Sequence, residues 1–188
     1  MKNADIISLA KTKLRHQIYE EKRKIGLETL QHISSTIISR LETNISFQSA
    51  RHILAYCSLP FEVETTQAID RWMMTKQIYL PVVVGSELKI KRYLGANAMV
   101  QGSFNVWEPM GEFVESFDLI DLVIIPGVAF DIQKKRIGYG KGFYDKLLPK
   151  IEAQKVGICF DFQLLEQIPT NDFDQSVDLI LTEKRLVL

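Results

Sequence analysis

Leu122-Val123-Ile124-Ile125-Pro126-Gly127 and, further on, Arg136-Ile137-Gly138-Tyr139-Gly140-Lys141-Gly142-Phe143-Tyr144-Asp145 decide the fold. The first run is apolar without alternation, which suits a strand buried on both faces. The second carries glycines at alternate positions and opens a helix over 143–148. A strand, a glycine-rich loop and a helix in that order form the junction of an open α/β sheet. Ligands settle at such junctions, outside the carboxyl ends of the strands.

Outward from this centre the same alternation continues. Ile7, Ala10, Leu14 and Ile18 recur at helical spacing and predict a helix over 5–24, which Gly26 ends. Leu27, Leu30, Ile33, Ile37 and Leu41 predict a second helix stopping near Asn44. A short strand over 52–56 precedes a helix over 64–76, with Ala68, Ile69, Trp72 and Met73 on its buried face. Residues 77–84 and 88–94 read as a hairpin around Gly85-Ser86, and Pro81 argues for an edge position or a bulge. The stretch 95–117 reads as loop, and 155–160 and 178–182 as further strands. The expected architecture is a three-layer α/β/α sandwich around a mostly parallel sheet, with an antiparallel hairpin at one edge. No repeat or linker interrupts the chain, so residues 1–188 are read as a single domain.

Composition narrows the function classes. Basic and acidic residues number 23 each, so no bulk field draws the molecule to nucleic acid or membrane. Basic character is local, at Lys11, Lys13, Arg15, Lys22, Arg23 and Lys24. A solvated helix face and an anion site both account for it. The N-terminus shows no secretory signal, and no run reaches the ~20 apolar residues of a membrane helix. Cys57 and Cys159 lie in apolar runs without metal-ligand spacing, which suits reduced thiols in a cytoplasmic protein.

The glycine-rich segment carries the chemistry. Its glycines let the backbone approach a ligand, and N–H groups at the following helix start face an anion. Arg136 and Lys141 add positive charge, and Asp145 offers a hard oxygen suited to magnesium. The pattern is neither a Walker A loop nor a dinucleotide fingerprint. Residues alone leave phosphate binding and a plain glycine turn both open.

Together with Pro126-Gly127-Val128-Ala129-Phe130-Asp131, the segment resembles the signature of the 5-formyltetrahydrofolate cyclo-ligases. Lys11-Thr12-Lys13-Leu14-Arg15 resembles that family's N-terminal element. Ser58-Leu59-Pro60-Phe61-Glu62-Val63-Glu64-Thr65 resembles its substrate segment. The order and spacing fit from about residue 8 onward. The resemblance implies ATP-dependent conversion of 5-formyltetrahydrofolate to 5,10-methenyltetrahydrofolate, with ADP and phosphate released and Mg²⁺ required. The chain is expected to act as a monomer on these small molecules, without nucleic acid or membrane.

It also implies roles. ATP would be held by Lys11 and Arg15, which share a helix face, and by Arg136, Ile137, Gly138, Tyr139, Gly140, Lys141, Gly142, Phe143 and Tyr144. Tyr139, Gly140, Lys141, Gly142 and Phe143 would also line the folate site with Cys57 and Glu62, and Glu62 would hydrogen-bond the folate ring. Lys141 would neutralise the moving phosphoryl group as the catalytic residue. Asp145 and Asp178 would bind the metal, Asp178 alternatively being a strand-end cap. Cys57 reads equally as a core thiol, and Phe104 and Trp107 as stacking partners or packing residues.

The chain departs from the pattern at Phe143, where many relatives carry tyrosine, and at Phe173-Asp174, where the family often shows His-Asp. His16, His32 and His52 lie outside the matched motifs. Two other readings fit the residues: another ATP- or phosphate-dependent enzyme, such as a small-molecule kinase, and a non-catalytic sensor. Lys141, Asp145, Glu62 and the Lys11/Arg15 pair argue against the sensor.

Overall fold

The computed structural model describes residues 3–102 and 106–188. The chain opens with α1 (Asn3–Ile25), α2 (Leu27–Thr43) and α3 (Ile45–Ser49), then β1 (His52–Leu54), α4 (Thr66–Trp72), β2 (Gln77–Val84) and β3 (Glu87–Arg92). A ribbon of β4 (Met99–Gln101) and β5 (Trp107–Pro109) precedes β6 (Leu122–Ile125), β7 (Ala129–Asp131) and β8 (Arg136–Ile137). Then come α5 (Phe143–Leu147), β9 (Gln154–Ile158), β10 (Leu164–Leu165), β11 (Leu179–Leu181) and β12 (Leu186–Val187).

The main sheet runs β12-β11-β9-β6-β1-β2-β3. The inner pairs are parallel, while β3 and β12 close the two edges antiparallel. The strand that decided the fold, β6, lies at the centre, and all four of its side chains are 0% exposed. One sheet face packs under α2–α4 through Leu30, Ile37, Leu41, Phe47, Ile69 and Trp72. The other packs under α5 and the turn after it, through Leu147, Leu148 and Ile151. Two apolar faces on one sheet require a cover on each side, and that is the three-layer arrangement.

The differences from the sequence reading are local. β2 is not an edge strand, although it contains Pro81. Its neighbour β1 pairs only as far as Leu54↔Tyr79, so beyond that point the missing proline N–H has no ladder to interrupt on that side. The helix over 64–76 is shorter, because Met73 to Lys76 form turns. The stretch 95–117 contains the β4–β5 ribbon. β7, β8 and β10 form a small separate sheet whose floor is Phe130. That ring lies against Gly157, where an added Cβ would come within 2.6 Å of it.

Hydrogen bonds tie the layers to the loops that matter. Ser34 on α2 donates to the Leu30 carbonyl and accepts the Glu64 N–H at 3.0 Å, holding the 58–65 loop. Trp72 Nε1 donates to Glu42 at 2.7 Å, joining α4 to α2. Asp131, 1% exposed, accepts the N–H groups of Gln133 and Lys135 on one oxygen and of Ile168 on the other.

Asp131→Ala would strand these buried donors and loosen the β7–β8 turn. It is expected to cost about 2–4 kcal/mol in urea unfolding. A loss below about 1 kcal/mol would show that water replaces the carboxylate.

Candidate active site

A cavity of about 630 Å³ opens at the carboxyl ends of the central strands. Most of its walls come from five parts of the chain. Lys11 and Arg15 project from one stripe of α1, and Tyr56, Cys57, Leu59 and Glu62 follow β1. Pro81, Val83 and Leu88 come from the β2–β3 hairpin. The run from Arg136 to Asp145 supplies the floor, and Asn171, Phe173 and Asp174 close the side.

Each cation at this site already has a protein partner. Arg15 Nε donates to the Gly138 carbonyl at 2.8 Å. Its guanidinium lies 3.5 Å from where a Gly140 Cβ would stand, so the glycine (φ 98°) lets the side chain lie flat on the loop. Burial lowers the Arg15 pKa, and the Asp174 charge opposes that shift. Lys11 is 8% exposed and grips both Asp174 oxygens, at 2.6 Å to Oδ1. Arg136, 3% exposed, donates to Asp145 Oδ1 at 2.7 Å and lies 5.5 Å over the Tyr144 ring. Among the described residues its Nε is the one buried side-chain polar atom without a partner.

The opposite wall is drier. Glu62 is 8% exposed, and its Oε2 accepts the Leu59 N–H at 2.7 Å. Burial raises its pKa, while the Leu59 N–H, the Tyr139 hydroxyl and the Lys22 charge pull it back. Tyr139 stands half in solvent, but its hydroxyl meets Glu62. Lost hydration and then the Glu62 charge hold that hydroxyl protonated, its pKa raised. Burial does the same for Tyr144.

The structure brings together most of the residues singled out in the sequence: Lys11, Arg15, Cys57, Glu62, Asp145 and the whole run from Arg136 to Tyr144. Asp178 is the exception. It sits exposed at the amino end of β11, and its Oδ2 accepts the Lys155 N–H at 2.7 Å. Asp121 does the same for Arg51 and His52 at the start of β1. Both are strand-end caps on the rim away from the cavity. The second aspartate lining the cavity is Asp174, next to Gln175, whose N–H reaches Asp145 Oδ1 at 3.3 Å. Sequence reading noted Asp174 only as the neighbour of Phe173, where a family histidine is missing.

Trp107 is 54% exposed and does not line the cavity, and Phe104 falls outside the described residues. His16 and His32 are exposed, and His52 bonds the Tyr79 hydroxyl, all three away from this site. The buried Lys22 was read as one member of a charged run.

Known proteins resemble this chain over most of its length. Residues 7–183 match the 5-formyltetrahydrofolate cyclo-ligase family. The chain is 34% identical to the 5-formyltetrahydrofolate cyclo-ligase of Haemophilus influenzae, over 87% of this chain and 94% of that one. It is 27% identical to the Escherichia coli K12 protein of the same name, over 90% and 98% of the two chains. Its fold superposes on the 5,10-methenyltetrahydrofolate synthetase of Aquifex aeolicus with a TM-score of 0.85 and 32% identity, covering 94% of this chain and 91% of that one.

The two thiols provide a check on the cavity. Burial raises the pKa of half-buried Cys57 and of buried Cys159. At about pH 7.5 iodoacetamide is expected to label Cys57 slowly and Cys159 only after unfolding, read by peptide mass spectrometry. Rapid native labelling of Cys159 would contradict its place in the core.

Proposed function

The chain belongs to the 5-formyltetrahydrofolate cyclo-ligase family, and we propose how its cavity performs that family's reaction on two small molecules. The enzyme uses ATP to convert 5-formyltetrahydrofolate to 5,10-methenyltetrahydrofolate, with ADP and phosphate as the other products. The observation that carries the site reading is the convergence of Lys11, Arg15, Arg136 and Lys141 with buried Glu62 on one cavity.

An amide-like formyl oxygen is a poor leaving group. Transfer of the γ-phosphoryl group to that oxygen, with the O–P bond to ADP breaking, makes it a good one. The neighbouring amine nitrogen of the folate then attacks the formyl carbon and loses its proton. The C–O bond breaks, and the former formyl oxygen departs within phosphate. The protein's work is positioning and charge neutralisation. Lys11, Arg15 and Arg136 take the phosphate chain, helped by the backbone N–H groups of residues 138–142. Lys141 neutralises the transferring group. Glu62 accepts N–H donors of the pterin ring, and Tyr139 to Phe143 lie between the two substrates, with Cys57 beside the folate.

Magnesium would be held, in this reading, by Asp145 and Asp174 together with phosphate oxygens. Both carboxylates line the cavity, and both already face cations. One or two carboxylates plus phosphate oxygens is the donor set that Mg²⁺ favours. The ion would supply charge to the phosphate chain. Asp178, remote and engaged with Lys155, is left out of this set.

We read the protein as a cytoplasmic monomer built as one domain, without nucleic acid or membrane partners. Its balanced charge and two free thiols support this, and among the described residues no helix is long and apolar enough to cross a membrane.

With 5-formyltetrahydrofolate, ATP and magnesium, methenyltetrahydrofolate absorbance should grow, and only with ATP. Lys141→Ala should lower kcat about 10²-fold or more while changing folate affinity less than about threefold. Unchanged turnover in that variant removes Lys141 from its role.

A further inference from the structure

Two exposed aromatic rings line the cavity, Tyr139 at 52% and Phe173 at 81% exposure. Tyr139 turns its hydroxyl to Glu62. Phe173 has no polar atom to use in that way, and among the described residues no other large hydrophobic side chain is as exposed. A single apolar side chain on a loose surface loop is ordinary. This one is neither on a loose loop nor away from the site.

The turn that carries the ring is closed on itself. Asp174 Oδ2 accepts the Asn171 N–H at 2.7 Å, and Asn171 Oδ1 accepts the Phe173 N–H at 3.0 Å. The Asp174 N–H returns to the Asn171 carbonyl at 3.2 Å. The turn is also tied to the phosphate-binding groups. Lys11 holds both Asp174 oxygens, and the Gln175 N–H reaches Asp145 Oδ1, where Arg136 also donates. The backbone of Phe173 is therefore fixed, one residue from the partner of Lys11 and two from a contact with the partner of Arg136.

We propose that Phe173 is the platform on which the base of the nucleotide stacks, and so a specificity-determining residue for ATP. This rests on the reading of Lys11 and Arg136 as phosphate ligands given above. A triphosphate held by those cations carries a flat base on its ribose, and the Phe173 ring is a flat apolar surface beside them. Stacking on an aromatic ring works through contact area and ring quadrupole, with no hydrogen bond needed. The turn is already ordered, so little freedom is lost when a base arrives. Purines offer a larger face than pyrimidines, so such a platform favours ATP over UTP.

The test is calorimetric binding to Phe173→Ala, Phe173→Trp and the unchanged protein. The ligands are ATP, UTP and inorganic tripolyphosphate, each with magnesium, and separately 5-formyltetrahydrofolate. In Phe173→Ala the Kd for ATP should rise about tenfold, and that for UTP by less. The Kd for tripolyphosphate, which has no base, and that for 5-formyltetrahydrofolate should stay within about twofold. Phe173→Trp should bind ATP at least as tightly as the unchanged protein. Phe173→Ala should keep its melting temperature, because the side chain it trims is exposed. An unchanged Kd for ATP, an equal loss for tripolyphosphate, or a loss confined to 5-formyltetrahydrofolate each overturns the inference. The last result would put the ring on the aminobenzoyl group of the folate. Failure of ATP to bind the unchanged protein would overturn the phosphate reading, and this inference with it.

Discussion

The site depends on cations held in place before any ligand arrives. Arg15 on the Gly138 carbonyl, Lys11 on Asp174 and Arg136 on Asp145 fasten α1, the glycine loop and the 171–174 turn to one another. Two of these cations are nearly buried, and an unpaired charge there would be expensive. The protein therefore supplies carbonyl and carboxylate acceptors in the positions that phosphate oxygens are read to occupy. Binding becomes an exchange of acceptors, with the donors already in place, and little side-chain ordering is left for the ligand to drive.

The parallel sheet explains why such an arrangement can be assembled at all. Its strands end together on one rim, so connections far apart in sequence meet there. Residues after β1, after β6 and after α5 share a cavity with a helix from the first turns of the chain. The other rim has its own carboxylates, Asp121 and Asp178, which cap the starts of β1 and β9. Acidic residues beside strand ends thus divide by rim: capping on one, ligand chemistry on the other.

That division marks where sequence reading reached its limit. The centre of the sheet was legible because Leu122 to Ile125 carry no polar residue, and the long helices because their apolar positions recur. β4, β5, β7, β8 and β10 are two or three residues long, too short for any period to show. Asp174 and Asp178 both precede β11, and a linear pattern does not say which rim each one faces. Lys22 was hidden for another reason. Lys11, Arg15, Ile18 and Lys22 form one stripe of α1 at helical spacing, so cations hold positions where the pattern looks for apolar residues. Charge near charge reads as a solvated face. Here it is the face that packs inward, with Ile18 at 6% exposure and Lys22 at 4%.

The two walls also differ in water, and the difference fits the two substrates. Around the proposed phosphate site Gly140 and Lys141 are exposed, while Lys11 and Arg136 are nearly buried. On the folate side Glu62, Lys22 and Tyr56 are buried, and few charges act at close range with weak screening. A neutral, flat ring gains recognition from such a dry wall, because each N–H it presents meets an acceptor that water cannot reach. The run from Tyr139 to Gly142 lies between these environments, with the Tyr139 hydroxyl on Glu62 and the loop backbone under Arg15. In the proposed reaction the phosphoryl group would move beside this run. Charge neutralisation gains most where hydration is being lost, and Lys141 belongs to that run.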